Sequence, residues 1–418
     1  MSNSVFRQVP KTGVIFTTSE AMKLGFYRGH PEWCNFGQGQ PETGFLPAGE
    51  ERIDSITILE KDHEYAPVGG LLELREAIAN MYNTLYRKDK KSKYTAENVS
   101  IAGGGRTILT RTVAALDSIN LGHFLPDYTA YEELLSTFKG FNTIPIMLDP
   151  DSGYTFTNSD LLKEIQGRGL GAVLISNPCN PTGKTITGRH LKDWVKTGRD
   201  TGCCLIMDEF YSSYIWEGVP SGETLSCSKY INNVNKDPVL IVNGLGKNQR
   251  YPGWRIGWVV GPKDVIKSIN SAGSFLDGGA PRPLQRASIS LVNADVVTKE
   301  TVSIQNAFRE KRQVMMDGLR KIGVTFDCEP GGSFYLWGNV EGLPEGLNTG
   351  MEFFHACLEK KVIVVPGEFF DVNPGKRMKN AGSRFKNYLR FSYGPDIDTI
   401  KKGLKRLEEL VKEKSSFV

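Results

Sequence analysis

The sequence predicts an α/β protein with a three-layer α-β-α large domain around a mostly parallel sheet. A smaller α+β domain is built from the C-terminal part and the N-terminal segment. Between about residues 71 and 260, helical periodicity alternates with short apolar runs flanked by turn residues, which is typical of a parallel sheet covered by helices. After about Arg282 this alternation gives way to a long helical stretch, an apolar ribbon and a charged terminal helix.

Each element follows from its local pattern. Apolar residues at helical spacing predict helices over residues 71–87, 106–116, 128–139, 160–166 and 188–199. Short apolar runs predict strands over residues 100–102, 123–125, 143–148, 172–176, 204–208 and 239–242. The second region contains a ribbon at 333–337, a helix at 351–360, strands at 362–365 and 388–393, and a helix at 396–414.

The first fifty residues show little periodicity and are rich in Gly and Pro around residues 37–47, so we expect them to wrap between the units or across a dimer contact. The predicted organisation is an N-terminal segment over residues 1–50, a large domain over 51–285 and a small domain over 286–418. A chain of 418 residues with 39% hydrophobic content can bury cores of this size.

Composition excludes several classes of protein. The 51 basic and 47 acidic residues give a net charge of +4 without a dominant like-charge block, which does not indicate nucleic-acid binding. The N-terminus lacks a secretory pattern, and no apolar segment reaches the length of a membrane span, so we expect a cytoplasmic protein. Seven cysteines without metal-type spacing suit reduced thiols, the five histidines show no ligand spacing, and we expect no metal.

Two strands are followed by polar residues at the end where open α/β sheets bind ligands. The motif Asn-Pro-Cys-Asn-Pro-Thr-Gly at residues 177–183 follows the first strand, although a plain turn explains these residue types equally well. Asp208 and Tyr211 follow the second strand. A carboxylate buried there needs a cationic partner, which a protonated ring nitrogen would supply, whereas a helix N-cap is the simpler alternative.

A third strand leads into a Gly-rich loop that contains Lys247, with Arg255 eight residues later inside Gly-Trp-Arg-Ile-Gly. Burial and neighbouring cations would lower the pKa of such a lysine and make its amine available to attack a carbonyl. The triple glycine at residues 103–105 joins a strand to a helix, so backbone N–H groups converge and favour an anion.

Taken together, these motifs and the late Arg-Phe-Ser at residues 390–392 resemble those of fold-type I pyridoxal-phosphate enzymes of the class I/II aminotransferase family, over nearly the whole chain. The resemblance implies pyridoxal 5′-phosphate as cofactor and transfer of an amino group between an L-amino acid and a 2-oxo acid. It implies that Lys247 is the Schiff-base lysine and acid/base, and that Asp208 pairs with the pyridinium nitrogen. Asn180 and Tyr211 match the donors to the 3′-oxygen, and Tyr128 matches the aromatic residue stacked on the ring.

The resemblance also implies a phosphate cup formed by Gly104, Gly105 and Arg106, with Arg255 as its charged clamp. Tyr65 matches a tyrosine that reaches the phosphate in the neighbouring subunit, which implies a homodimer with shared active sites. Arg390 should bind the substrate carboxylate through two parallel hydrogen bonds, with Gly39 and Asn180 beside it. An arginine on an exposed strand face is the alternative for Arg390.

The sequence departs from the family pattern at Gly244 and Gly246, where relatives often carry hydroxyl residues that contact the phosphate. We therefore expect Arg255 to matter more for cofactor retention here. Arg250, Lys376, Arg377 and Arg384 are candidate partners for a substrate side-chain carboxylate, with surface solvation as the default role for each.

Related enzymes of this fold carry out β- or γ-elimination or cyclisation, which is the alternative function. A DNA-binding regulator would need a basic helix-turn-helix, which the sequence does not show.

Overall fold

The computed structural model of the protein describes residues 9–377 and 382–415, so part of the predicted N-terminal segment lies outside the described residues. Its strands are β1 (Cys34–Asn35), β2 (Val99–Ala102), β3 (Asn120–Leu125), β4 (Asn142–Met147), β5 (Leu170–Ser176), β6 (Cys204–Asp208), β7 (Val239–Gly244), β8 (Gly257–Val260), β9 (Tyr335–Asn339), β10 (Val362–Ile363), β11 (Val365–Pro366) and β12 (Tyr388–Ser392).

Its α-helices are α1 (Gly13–Lys23), α2 (Leu72–Tyr86), α3 (Gly105–Ala114), α4 (Tyr131–Thr137), α5 (Asn158–Arg168), α6 (Gly188–Thr201), α7 (Lys263–Leu276), α8 (Arg282–Ser288), α9 (Ala294–Lys321), α10 (Gly350–Glu359) and α11 (Ile397–Ser415). Local chemistry fixes some of their ends. Thr157 and Asp160 form a capping box at the start of α5, and Gly169 ends that helix in the left-handed conformation.

A seven-stranded sheet in the order β2-β8-β7-β6-β5-β3-β4 forms the centre of the large unit. β8 runs antiparallel to β2 and β7, and the other neighbours pair in parallel. β5 and β6 are almost wholly buried, as expected for strands covered on both faces. The predicted α/β fold with a mostly parallel sheet is confirmed.

The smaller unit contains a three-stranded antiparallel sheet in the order β11-β12-β9. The N-terminal strand β1 pairs in parallel with β10, so the first segment of the chain associates with the C-terminal part. A second hydrophobic core surrounds these strands and includes Phe36 from the N-terminal segment and Phe353 from α10. Among the described residues, no helix combines the length and the apolar character needed to cross a membrane.

Four of the described strands and α-helices were not predicted, namely α1, β1, α7 and β8. The predicted helix at 128–139 is shorter than expected, because α4 begins only at Tyr131. The predicted strand at 362–365 is divided into β10 and β11, which belong to different sheets. The other elements lie where the sequence predicts them, with ends that differ by a few residues.

Candidate active site

The carboxyl ends of the parallel strands bring the predicted site residues to one edge of the large sheet. Gly104 follows β2, Tyr128 follows β3, Asn180 follows β5, and Lys247 follows β7. Asp208 is the last residue of β6. Residues far apart in sequence therefore share one site, at the position where open α/β sheets bind their ligands.

Lys247 is partly buried, and its Nζ donates a hydrogen bond to the carbonyl oxygen of Gly39. Burial lowers the pKa of Lys247 to about 7, with further lowering by Arg390, Arg255 and Arg106. The carboxylate of Asp208 opposes this shift only in part. A substantial fraction of the amine is therefore unprotonated near neutral pH, which is the form that attacks a carbonyl carbon.

Asp208 is 6% exposed, and burial raises the pKa of its carboxyl group to about 6. The hydroxyl of Tyr131 donates a 2.6 Å hydrogen bond to Oδ2, and the backbone N–H of Phe210 lies 3.3 Å from Oδ1. A cationic group bound beside Asp208 would offset its desolvation. Tyr131 was not predicted from the sequence, although it stands three residues after Tyr128 in the motif Asp-Tyr-Thr-Ala-Tyr.

Arg390 lies on β12 and is 1% exposed. Its Nη1 donates to Oδ1 of Asn180 at 3.0 Å, and its Nη2 donates to the carbonyl oxygen of Gly37 at 2.8 Å. Because Arg390 occupies the amide oxygen of Asn180, the amide nitrogen is left to act as a donor. The buried Nε of Arg390 has no hydrogen-bond partner within the described residues, which leaves capacity for an anion. The alternative of an exposed strand arginine is wrong.

The glycine loop and Arg255 fit closely together. Gly104 has a φ of 97°, and a Cβ at this position would collide with the guanidinium group of Arg255. A Cβ on Gly257 would lie 2.7 Å from the carbonyl carbon of Gly104. Helix α3 begins at Gly105, so its first N–H groups face the same place. The glycines allow an anion to approach the backbone closely.

Arg106 lies on the exposed side of this loop, where its Nε and Nη2 contact the hydroxyl of Tyr128 at 3.2 and 3.0 Å. The Tyr128 ring meets that of Tyr131 edge-on, with 5.4 Å between the centroids. These contacts hold the Tyr128 ring against Tyr131, which is the hydrogen-bond partner of Asp208.

Comparison with known proteins identifies the family. The sequence model for "Aminotransferase class I and II" matches residues 31–407. The chain belongs to this family. It is an aminotransferase, and the enzymes of this family depend on pyridoxal 5′-phosphate.

Relatives of this aminotransferase match over most of their length. An aspartate aminotransferase of Streptomyces avermitilis is 28% identical over 392 residues, which is 90% of this chain and 89% of the relative. A probable aspartate/prephenate aminotransferase of Aquifex aeolicus is 26% identical over 383 residues, which is 90% of this chain and 91% of the relative. The solved structure of Thermus thermophilus aspartate aminotransferase with maleate has a TM-score of 0.77 at 22% identity, covering 97% of this chain and 100% of that one.

The site of this aminotransferase fits the cofactor chemically. The buried Asp208 suits a cationic ring nitrogen, and the glycine loop with Arg255 suits a phosphate. Near Lys247, the charges of Arg106, Arg255 and Arg390 exceed that of Asp208, so bound anions would be favoured.

The two glycines that replace hydroxyl residues differ in their surroundings. A Cβ on Gly244 would lie 2.6 Å from the carbonyl oxygen of Ile256 and 2.9 Å from the Phe210 ring, so a side chain there is obstructed. A Cβ on Gly246 would meet nothing closer than Cα of Pro252 at 3.6 Å. Packing therefore explains the glycine at 244, whereas nothing in the structure explains the glycine at 246.

The other candidate residues have different surroundings. Arg250 is fully buried, and its side chain donates to Glu300 and to two backbone carbonyl groups. Its contacts therefore match neither of the two expected roles, which were binding a substrate carboxylate and surface solvation. The remaining cations predicted as partners are exposed, and two of them form the pairs Lys376–Glu132 and Arg384–Asp371. The Tyr65 side chain is 96% exposed in the single chain and is not brought to the site.

Proposed function

We propose that this aminotransferase carries pyridoxal 5′-phosphate as a Schiff base on Lys247 and transfers amino groups between L-amino acids and 2-oxo acids. The observation that carries this proposal is the convergence around Lys247 of a buried carboxylate and three guanidinium groups. A lysine with a pKa of about 7 can act both as the nucleophile that holds the cofactor and as a base near neutral pH.

When bound, the cofactor supplies an electron sink that makes the Cα–H bond of the substrate acidic. The Nζ of Lys247 would accept the proton from the substrate Cα and donate it at the C4′ carbon. The carbonyl oxygen of Gly39 orients this amine through the hydrogen bond that it accepts. The lysine is then the acid/base as well as the attachment point.

Asp208 would hold the ring nitrogen in its protonated form, and Tyr131 supports the charge on Asp208 by donating to Oδ2. Asn180 and Tyr211 would donate to the 3′-oxygen, and the bond from Arg390 to the amide oxygen leaves the amide nitrogen of Asn180 as the donor. Tyr128 would pack against the ring face. A neutral Asp208 would lose this function, because it could no longer offset the ring charge.

The start of α3 would hold the phosphate, because Gly104 and Gly105 offer backbone N–H groups there and Arg106 and Arg255 offer charge. The substrate carboxylate lies against Arg390, which is held in place by Asn180 and Gly37. A guanidinium group bonds a carboxylate with two parallel hydrogen bonds, and this orients the substrate amine towards the cofactor.

The working unit in this proposal is a homodimer in which Tyr65 completes the phosphate site of the partner subunit. Exposure of 96% for Tyr65, and of 51% and 47% for the nearby Ile58 and Leu59, supports a surface that another subunit covers. Mixing Tyr65→Ala and Lys247→Ala chains tests this arrangement, because one site of each mixed dimer then has both residues intact. Activity above that of either variant alone is expected, and its absence in verified mixed dimers contradicts shared sites.

We propose that the N-terminal segment ends at residue 50 and that the large domain ends at residue 285. The seven free cysteines support a reducing compartment, in keeping with the proposed cytoplasmic location.

A spectral screen tests the function itself. Holoenzyme mixed with single L-amino acids, without an oxo acid, should lose its imine absorbance and accumulate the aminated cofactor. L-aspartate and L-glutamate are the first candidates, because several relatives are named aspartate aminotransferases. An Arg390→Ala variant should need a far higher concentration of the same amino acid. Release of product with the imine absorbance restored would indicate elimination and would contradict the proposal.

A further inference from the structure

Tyr335 lies between two groups of the proposed site. Its hydroxyl oxygen is 2.9 Å from that of Tyr211, and its ring faces the guanidinium group of Arg390, with 4.2 Å from Cζ to the ring centroid. Tyr335 is fully buried, and Tyr211 is 6% exposed. The ring is held by β9, which pairs directly with β12, the strand that bears Arg390.

The direction of the hydrogen bond between the two hydroxyls follows from counting protons. A phenol has one O–H proton. If Tyr211 gives its proton to the 3′-oxygen of the cofactor, then Tyr335 must be the donor to the Tyr211 oxygen. Burial raises the pKa values of both phenols, so both remain protonated under ordinary conditions.

We propose that Tyr335 is a positioning residue that donates its hydrogen bond to Tyr211 and thereby strengthens the bond from Tyr211 to the cofactor. Hydrogen bonds in a chain polarise one another, so a phenol that accepts a bond becomes a better donor. A better donor to the 3′-oxygen lowers the proton affinity of the imine on Lys247. This inference rests on the proposed function, because it requires the cofactor on Lys247 with its 3′-oxygen at Tyr211.

The charged surroundings stay constant when the Tyr335 hydroxyl alone is removed. Besides Tyr211, the ionisable groups that act on Tyr335 are Arg390 and Tyr128. Those acting on Lys247 are Arg390, Arg255 and Arg106, which lower its pKa, and Asp208, which raises it. Tyr335→Phe keeps the ring over Arg390 and changes none of these groups, so a change in the imine titration reports the lost hydrogen bond.

The test is an absorbance titration of the imine in holoenzyme variants. Tyr335→Phe should raise the proton affinity of the imine roughly two- to fivefold, because one neutral hydrogen bond is lost one residue away from the cofactor. Tyr211→Phe should raise it more. Tyr393→Phe is the matched control, because Tyr393 is also fully buried but bonds Trp216 and the Ser333 carbonyl instead. Its titration should match that of the wild type.

Binding of a dicarboxylate inhibitor such as maleate distinguishes the contribution of the Tyr335 ring from that of the Tyr335 hydroxyl. Tyr335→Phe should leave the inhibitor dissociation constant within about twofold of the wild-type value. Tyr335→Leu removes the cation–π contact with Arg390 and should raise the dissociation constant several-fold.

An unchanged imine titration in Tyr335→Phe, alongside a shifted one in Tyr211→Phe, overturns the inference and leaves the proposed function intact. Equal weakening of inhibitor binding in Tyr335→Phe and Tyr335→Leu also overturns it, since the residue would then be only structural. A wild-type holoprotein with no titrating imine band would instead remove the proposed function on which the inference rests.

Discussion

Replacing Arg255 by alanine should weaken cofactor binding by roughly 10- to 30-fold. The guanidinium group of Arg255 packs against Gly104, and its Nη1 donates to the carbonyl oxygen of Pro252 at 3.1 Å, which leaves the other N–H groups for the phosphate. A hydrogen bond to a charged group contributes about 1.5–3 kcal/mol, and about 1.4 kcal/mol corresponds to a tenfold change. Because Arg255 is exposed in the chain, the lower part of this range applies.

The assay is a fluorescence titration of cofactor-free protein with pyridoxal 5′-phosphate. Gly246→Ser in the Arg255→Ala background should recover several-fold of the lost affinity, since a side chain at 246 meets no atom closer than 3.6 Å and can offer a hydroxyl. Gly244→Ser is the contrasting variant and should fail to recover it, because its Cβ would lie 2.6 Å from the Ile256 oxygen. An Arg255→Ala protein with the wild-type dissociation constant would refute the reasoning.

The cofactor-free protein should become more stable as pH rises above about 7. Lys247 has a pKa of about 7 in the folded protein and an ordinary value of 10.5 in the unfolded chain, so the unfolded chain binds more protons between these pH values. Urea denaturation between pH 7.5 and 9 should show that the unfolding free energy rises less steeply with pH in Lys247→Met than in the wild type. Equal slopes in the two proteins would contradict the lowered pKa of Lys247. Glu300→Ala should cost about 3 kcal/mol of unfolding free energy, because it leaves the buried Arg250 without its carboxylate partner. Asp200→Ala, which breaks the exposed pair with Lys196, is the control and should cost less than about 0.5 kcal/mol. Similar losses in Glu300→Ala and Asp200→Ala would show that Arg250 does not depend on its ion pair with Glu300.

The large sheet was predictable because its strands are apolar runs separated by clear helical periods. β8 (Gly257–Val260) was missed, because it is short and continues the Gly-rich motif that follows Lys247. α1 was missed because tertiary contacts support it, including the close packing of Gly13 against Phe369.

The predicted site residues that follow the sheet strands converge in the structure because motifs at strand ends mark positions that the sheet topology brings together. Partners from distant parts of the chain could not be predicted in this way. Tyr335 is 124 residues from Tyr211, and Arg250 is 50 residues from Glu300. No local pattern shows that Arg250 is buried, because its environment comes from the N-terminal segment and α9.

Borohydride reduction of the holoprotein, followed by peptide mass spectrometry, tests the central claim most directly. Reduction fixes the cofactor to the amine that holds it, so the account predicts a pyridoxyl group on Lys247 at close to one per chain. A Lys247→Ala protein treated in the same way should carry no such label at this peptide. Stoichiometric labelling of another lysine, or none in a holoprotein with bound cofactor, would contradict the account.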